Sequence, residues 1–311
     1  MKENLEQIFI SEINPYKDSK FLLAVSGGVD SMVLANLFLS NKLDFSIAHC
    51  NFQLRGKESE SDQKVLSDWC EINNIEFFVK KFNTKDYCKE QKLTVQMGAR
   101  KLRYEWFGSF IEKGKIDFIV TAHHLDDQLE TFIINSIRGT GIEGLLGIPN
   151  NVNNIIRPLL MTSKNQIIQY AELNKINYNE DSSNEKEDYL RNKIRHSVIP
   201  YLKSDDKNVL LKFRTTIKNL NKTSIFIEHV CAEWKEINFF REGDTIITNI
   251  YALENLFPRD FYIHELFKEF QFNYKEVIKL FDSDSGKYIS SPYYKMTKNK
   301  NTLIITKINN D

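Results

Sequence analysis

Ser26, Gly27, Gly28, Val29, Asp30 and Ser31 set two hydroxyls, two glycines and a carboxylate directly after the apolar run FLLAV (21–25). Glycine lets a backbone turn tightly and approach an anion with no side chain in the way. The free N–H groups that open a following helix add donors and the positive end of its dipole. At the carboxyl end of a buried strand such a corner makes a phosphate cradle; the alternative is a tight strand-to-helix turn that binds nothing. The hydroxyls of Ser26 and Ser31 and the metal-capable carboxylate of Asp30 favour the cradle. No lysine follows Gly28 as a Walker-type loop requires, and the G-x-G-x-x-G dinucleotide pattern is absent. DSDSGKY (282–288) has no glycine five residues before Gly286 and reads as a loop.

Further groups with chemistry lie downstream. In AHHLDDQLE (122–130), Asp127 and Glu130 are three apart at the start of a helical stretch and share one face. They suit a cationic substrate or a magnesium ion; the alternatives are a solvated face or acids complementing the helix dipole. His123 and His124 are adjacent at a strand end and point to opposite faces, so one meets the ligand and the other packs. Arg100 and Arg103 in GARKLRY (98–104) share a helical face, and guanidinium forks match phosphate oxygens. The alternative is an exposed arginine paired with Glu105. Arg138, among glycines 139, 141 and 144, ends a helix in a turn open to close approach of a nucleotide, or is a plain C-cap. Between Lys186 and Lys222 ten Lys or Arg face four acids. Within that stretch Arg191, Lys193 and Arg195 are candidates to track a nucleic-acid backbone, against the alternative of a solvated face.

Positioning these groups requires a sheet. FLLAV (21–25), FSIAHC (45–50), IEFFVKKF (75–82) and DFIVTAHH (117–124) read as strands, separated by the helical stretches 32–39, 61–73 and 95–114. This β-α-β-α-β-α-β series predicts an α/β fold: a parallel, Rossmann-like sheet with helices on both faces and ligands at the carboxyl ends of its strands. A boundary is expected near residue 205. Residues 1–205 would form the catalytic domain and 206–311 a smaller, mainly helical domain with a short β-like tail. Lys plus Arg (42) equals Asp plus Glu (42) in a chain of 311 residues, so any acidic partner must be met by local patches. No apolar run reaches membrane-spanning length and the first residues carry acids, so the expected place is the cytoplasm. The four cysteines form no CxxC pair and no metal-ligand spacing, and are expected to be reduced and mostly buried.

The S-G-G-x-D-S corner resembles the pyrophosphate loop of the N-type ATP pyrophosphatases, the PP-loop enzymes. Its company narrows the resemblance: HCNFQLR (49–55), GARKLRY (98–104), AHHLDDQLETFIINSIRGTGIEGLLG (122–147), IIRPLL (155–160), DSSN (181–184) and LRNKIRHSVIPYL (190–202). In this order they are similar to the tRNA(Ile)-lysidine synthetase family. The resemblance implies ligation of free L-lysine to C2 of the wobble cytidine of tRNA(Ile) through an adenylylated intermediate, giving lysidine, AMP and pyrophosphate. It implies ATP on Ser26, Gly27, Gly28, Val29, Asp30, Ser31 and His123, and Mg2+ near Asp30. Arg103 would stabilise adenylyl transfer, and Asp127 and Glu130 would recognise lysine. The tRNA would then meet Arg138, Arg191, Lys193 and Arg195. Phe52 stands where relatives often carry a histidine, and Gln96 where a glutamate is common. Two alternatives differ in chemistry. tRNA thiolation by the same loop needs sulfur-carrying cysteines, and a non-catalytic nucleotide-binding module lacks the acid and arginine set.

Overall fold

The computed structural model describes residues 4–54, 56–179 and 189–308, so DSSN (181–184) and Arg55 lie outside the described residues. The chain divides into two units, Met1–Lys218 and Asn219–Asp311.

The first unit opens with α1 (Leu5–Ile13), then β1 (Phe21–Ala24), α2 (Val29–Ser40), β2 (Phe45–Asn51), α3 (Lys57–Ile72), β3 (Phe77–Lys81), α4 (Thr84–Gln91) and α5 (Val95–Glu112). It continues with β4 (Phe118–Val120), α6 (Leu125–Ile137), α7 (Ile142–Leu145), β5 (Asn151–Val152), β6 (Ile155–Ile156) and α8 (Lys164–Leu173). Then follow α9 (Tyr189–Lys193), a π-helical turn (Ile194–Val198), α10 (Ile199–Asp205) and the start of α11 (Val209–Asn238). The sheet order is β3-β2-β1-β4-β6-β5. β3, β2, β1, β4 and β6 pair in parallel, and β5 closes the edge antiparallel to β6.

Period-two alternation fixes which side chains go where. Phe21 and Leu23 of β1 join Ile47, Phe9, Phe38 and Ile167 in the core under α1, α2 and α8. Leu22 points the other way, joining Ala48, Ile119, Phe107 and Phe110 beneath α5. Both faces are covered, which explains why β1 reads as an unbroken apolar run. The order places β1 beside both β2 and β4, so the chain leaves β1 in one direction and β4 continues in the other. Ligands of open parallel sheets bind at such a switch point, and here it lies between the loop after β1 and the one after β4.

The second unit takes the rest of α11 and β7 (Phe240–Glu242), β8 (Thr245–Asn249), α12 (Ile250–Glu254), α13 (Arg259–Phe267), α14 (Tyr274–Phe281), β9 (Tyr288–Ser290), β10 (Tyr294–Asn299) and β11 (Thr302–Lys307). Its strands form one antiparallel sheet, β7-β8-β11-β10-β9. Leu253, Ile263, Phe267, Val277, Met296 and Leu303 build its core between helices and sheet. The expected helices are present, and the strands go beyond the short β-like tail: the tail holds three, and the β7–β8 hairpin before them completes a five-stranded sheet. The division between the two units falls inside α11, a helix of 30 residues. Among the described residues no helix is long and apolar enough to cross a membrane.

Candidate active site

The cradle is shaped by its own serine. Ser31 is buried, and its Oγ accepts from the N–H groups of Ser26 and Gly27, both at 3.2 Å, while donating to the Gly28 carbonyl at 2.9 Å. Gly27 has φ +97°, a left-handed conformation that a side chain would strain. Asn179 anchors the same turn by donating its N–H to the Gly27 carbonyl at 3.0 Å. Gly28 is the N-cap of α2 and provides no side-chain cap, so the first-turn N–H groups of that helix are left for a ligand. Ser26 is exposed at the rim. The open donors are therefore those of the first turn of α2, with Ser31 spent on holding the turn that precedes it.

Around Asp30 the charges pair off. Lys164, the first residue of α8, places its Nζ 2.6 Å from Asp30 Oδ1, and His124 Nε2 lies 3.8 Å from the same oxygen. Asp126 is buried; it accepts from the Lys164 backbone N–H at 2.9 Å and is paired with Lys203 of α10. His124 is the N-cap of α6, where it and Asp127 form a reciprocal capping box. Asp127, 8% exposed, receives Arg195 Nη2 at 3.1 Å. Glu130, 1% exposed, receives Arg195 Nε at 2.6 Å, Arg195 Nη2 at 2.9 Å and Arg191 Nε at 2.9 Å. Arg195 sits in the π-helical turn, and such turns recur at functional sites.

These pairings correct one expectation. Arg191 and Arg195 do not lie along a solvated face free to track RNA; they neutralise the carboxylate pair of α6. Of that basic stretch, Lys193 is exposed. Arg138 caps the far end of α6, about 16 Å from Asp127 along the axis at 1.5 Å per residue, and is exposed. It is not brought to the cradle. Lys164, Lys203, Asp126 and the cap role of His124 are additional members of the cluster. Only the H-x-x-D box was visible as a local pattern.

The arginines of α5 part company. Arg103 stacks 5.3 Å from the centroid of Phe52, which itself stacks on Phe82, and its charge lies beside the Cys50 thiol. Arg100 covers the ring of Tyr104 at 4.7 Å. Glu105 pairs with Lys101 at 3.8 Å. No ion pair joins Arg100 or Arg103 to a carboxylate among the described residues.

Burial alone would push the Asp127 carboxyl up, but the fields of His124 and His123, the His124 backbone N–H and Arg195 outweigh it and hold the pKa below the usual range. His123, whose Nδ1 lies 2.8 Å from Thr121 Oγ1, is pushed down from 6.5 to about 4, chiefly by burial and against the pull of Asp127. It is therefore neutral at physiological pH. A depressed folded-state pKa means that the unfolded chain binds the proton more readily. Stability from this group is present above about pH 6.5 and is lost as the pH falls towards about 4. Thermal melts across that window should show a shallower pH dependence for His123→Gln than for the unaltered chain. Burial likewise pushes the thiols of Cys50 and Cys70 up, to about 12 and about 11.

The Asp30 carboxylate beside an open helix N-terminus fits magnesium, which takes one or two carboxylates and fills its remaining positions with phosphate and water oxygens. Among the described residues no group of three or more His, Cys, Asp or Glu could hold a metal ion by itself. Any such ion would thus depend on phosphate oxygens.

Residues 1–202 match the PP-loop domain family model, and residues 241–308 match the TilS substrate binding domain. The chain is 33% identical to the tRNA(Ile)-lysidine synthase of Bacteroides thetaiotaomicron, over 94% of this chain and 68% of that protein. It is 32% identical to a Porphyromonas gingivalis tRNA(Ile)-lysidine synthase, over 91% of this chain and 63% of the relative. For the Clostridioides difficile tRNA(Ile)-lysidine synthase the identity is 37%, over 78% and 54%. The chain thus spans about two thirds or less of these relatives' length. In fold it is similar to the U34-tRNA thiolase NcsA from Methanococcus maripaludis, with TM-score 0.59 and 17% identity over 70% of this chain and 78% of that one.

Proposed function

The chain belongs to the tRNA(Ile)-lysidine synthase family of PP-loop proteins, and from this we propose that it uses ATP to join free L-lysine to C2 of the wobble cytidine of tRNA(Ile). The observation that carries the reading is one juxtaposition. A phosphate cradle and a buried carboxylate pair meet at the same switch point, through Asp30, His124 and Asp127.

Cytidine O2 attacks the α-phosphorus of ATP; a P–O bond forms to the base and the bond to the β-phosphate breaks, releasing pyrophosphate. The first-turn N–H groups of α2 and its dipole take up the charge that accumulates on the leaving group. Magnesium on Asp30 would supply further charge neutralisation there. The ε-amine of lysine then attacks C2, and the C–O bond to AMP breaks. Lysine's amine has an ordinary pKa of roughly 10.4 and arrives protonated, so one proton passes to water before the neutral amine attacks C2, and a second leaves the nitrogen to water as the C–O bond to AMP breaks. Asp127, held ionised well below the usual range, is a weak base, and its role is to orient the ammonium together with Glu130. Arg191 and Arg195 hold those carboxylates while no ligand is bound. His123 adds no charge beside the phosphates.

Thiolation is disfavoured on a specific ground. Cys50 and Cys70, with thiol pKa values near 12 and 11, hold almost no thiolate at neutral pH and make poor sulfur carriers. The test is multiple-turnover pyrophosphate release from ATP. Release requiring both tRNA(Ile) and lysine is expected. Product formation indifferent to lysine would point to another modification, and no release at all to a nucleotide-binding module.

A further inference from the structure

Arg157 is a buried cation with no anion to match it. It follows β6 at the carboxyl end of the sheet and is 4% exposed. Its Nη1 donates to the Pro149 carbonyl at 2.7 Å, and the Tyr104 hydroxyl is its other polar neighbour. Among the described residues no carboxylate pairs with it, and its buried Nε has no hydrogen-bond partner. Arg100 lies over the face of the same Tyr104 and is exposed. Burial, and to a lesser degree the neighbouring Arg100, disfavours the charge on Arg157, and both arginines act on His123 in the same sense. Two guanidiniums thus flank one tyrosine, and neither forms an ion pair with a carboxylate among the described residues. Glu130, on α6, meets two guanidiniums, one of them shared with Asp127.

A buried guanidinium is costly unless an opposite charge reaches it. Planar forks of this kind match the oxygens of a phosphate group. We propose that Arg157 and Arg100 form a phosphate subsite on the β6 side of the switch point, separate from the pyrophosphate loop after β1. Tyr104 is its positioning residue, fixing Arg100 through its ring and Arg157 through its hydroxyl. The phosphate belongs either to the nucleotide, at the end remote from the departing pyrophosphate, or to the RNA backbone beside the target cytidine. This subsite rests on the function proposed above.

The test uses the full chain and its Arg100→Met and Arg157→Lys variants, each first shown to melt like the unaltered protein. Arg100 is exposed, so its variant guards against a folding failure at Arg157. Two affinities are measured separately: a non-hydrolysable ATP analogue with magnesium, by calorimetry, and an anticodon stem-loop RNA, by anisotropy over a salt series. Both variants are expected to weaken one of the two ligands at least tenfold. A loss confined to the analogue assigns the subsite to the nucleotide. A loss confined to the RNA, with the salt slope shallower by about one for Arg100→Met, assigns it to the backbone. Unchanged affinity for both ligands, or a loss in Arg157→Lys alone, overturns the subsite. If the unaltered protein binds neither ligand, the function it rests on fails instead.

Discussion

A Glu130→Gln protein is expected to lose lysidine formation by about a hundredfold or more while keeping a single-turnover burst of pyrophosphate. Losses of this size are typical when one oriented electrostatic group is removed from a reaction site. Glu130 is 1% exposed and accepts three bonds from Arg191 and Arg195. Glutamine keeps the shape and removes the charge, so two guanidiniums are left to share Asp127. Breaking a buried ion pair by removing one partner costs about 3–5 kcal/mol. The lower end applies here, since both arginine side chains keep about a third of their surface exposed. The melting temperature should therefore fall, and activity is to be read well below the new midpoint. There, adenylylation uses the cradle and not the carboxylate pair, so pyrophosphate should still appear once per enzyme with tRNA present. The second step needs a lysine ammonium held by two carboxylates, and one is now neutral. Lysidine formation at the unaltered rate in Glu130→Gln would remove the lysine assignment. Loss of the burst as well would place Glu130 in the first step.

The cradle was legible in the sequence because it is local. A glycine at positive φ, a hydroxyl four residues on and an unbroken apolar strand before it are neighbours in the chain. The same holds for the four parallel strands, whose burial on both faces removes the alternation seen in half-exposed sheets. Partner choice was not legible. Arg191 and Arg195 lie 61 and 65 residues from Glu130, and a run of cations reads alike whether it faces solvent or a buried acid. Lys164 is harder still, since it reaches Asp30 across 134 residues from an unremarkable helix start. In the second unit the β7–β8 pair was not legible for another reason. Thr245–Asn249 alternates cleanly, but over five residues that pattern competes with helical spacing on either side. The unit division was hidden by α11, because a continuous amphipathic helix leaves no shift in composition at the point where its contacts change.

The Arg103→Met substitution should reduce pyrophosphate release by about a hundredfold, with lysine KM little changed. Arg103 is separated from the acids that occupy Arg191 and Arg195. Its guanidinium rests on the Phe52 ring, which is backed by Phe82, and it lies beside Cys50, a thiol that burial keeps protonated. A cation held in place by an aromatic face and a neutral thiol keeps its charge available for an incoming phosphate. Removing one preorganised donor from a transition state costs about 2.7–4 kcal/mol, which sets the expected loss. Methionine preserves most of the apolar stem against Phe52, so the fold should survive. Phe52→Leu is the comparator. It keeps an apolar contact with Phe82 but removes the π-face, and at about 0.5–2 kcal/mol for a cation–π contact it should slow the same step severalfold. Phe52→Tyr, which restores a face, should recover the rate. A Leu variant as fast as the Tyr variant would mean that Phe52 only packs. An Arg103→Met protein with its burst intact would move the adenylylation role to another cation, with Arg100, on the same helix face, as the next candidate.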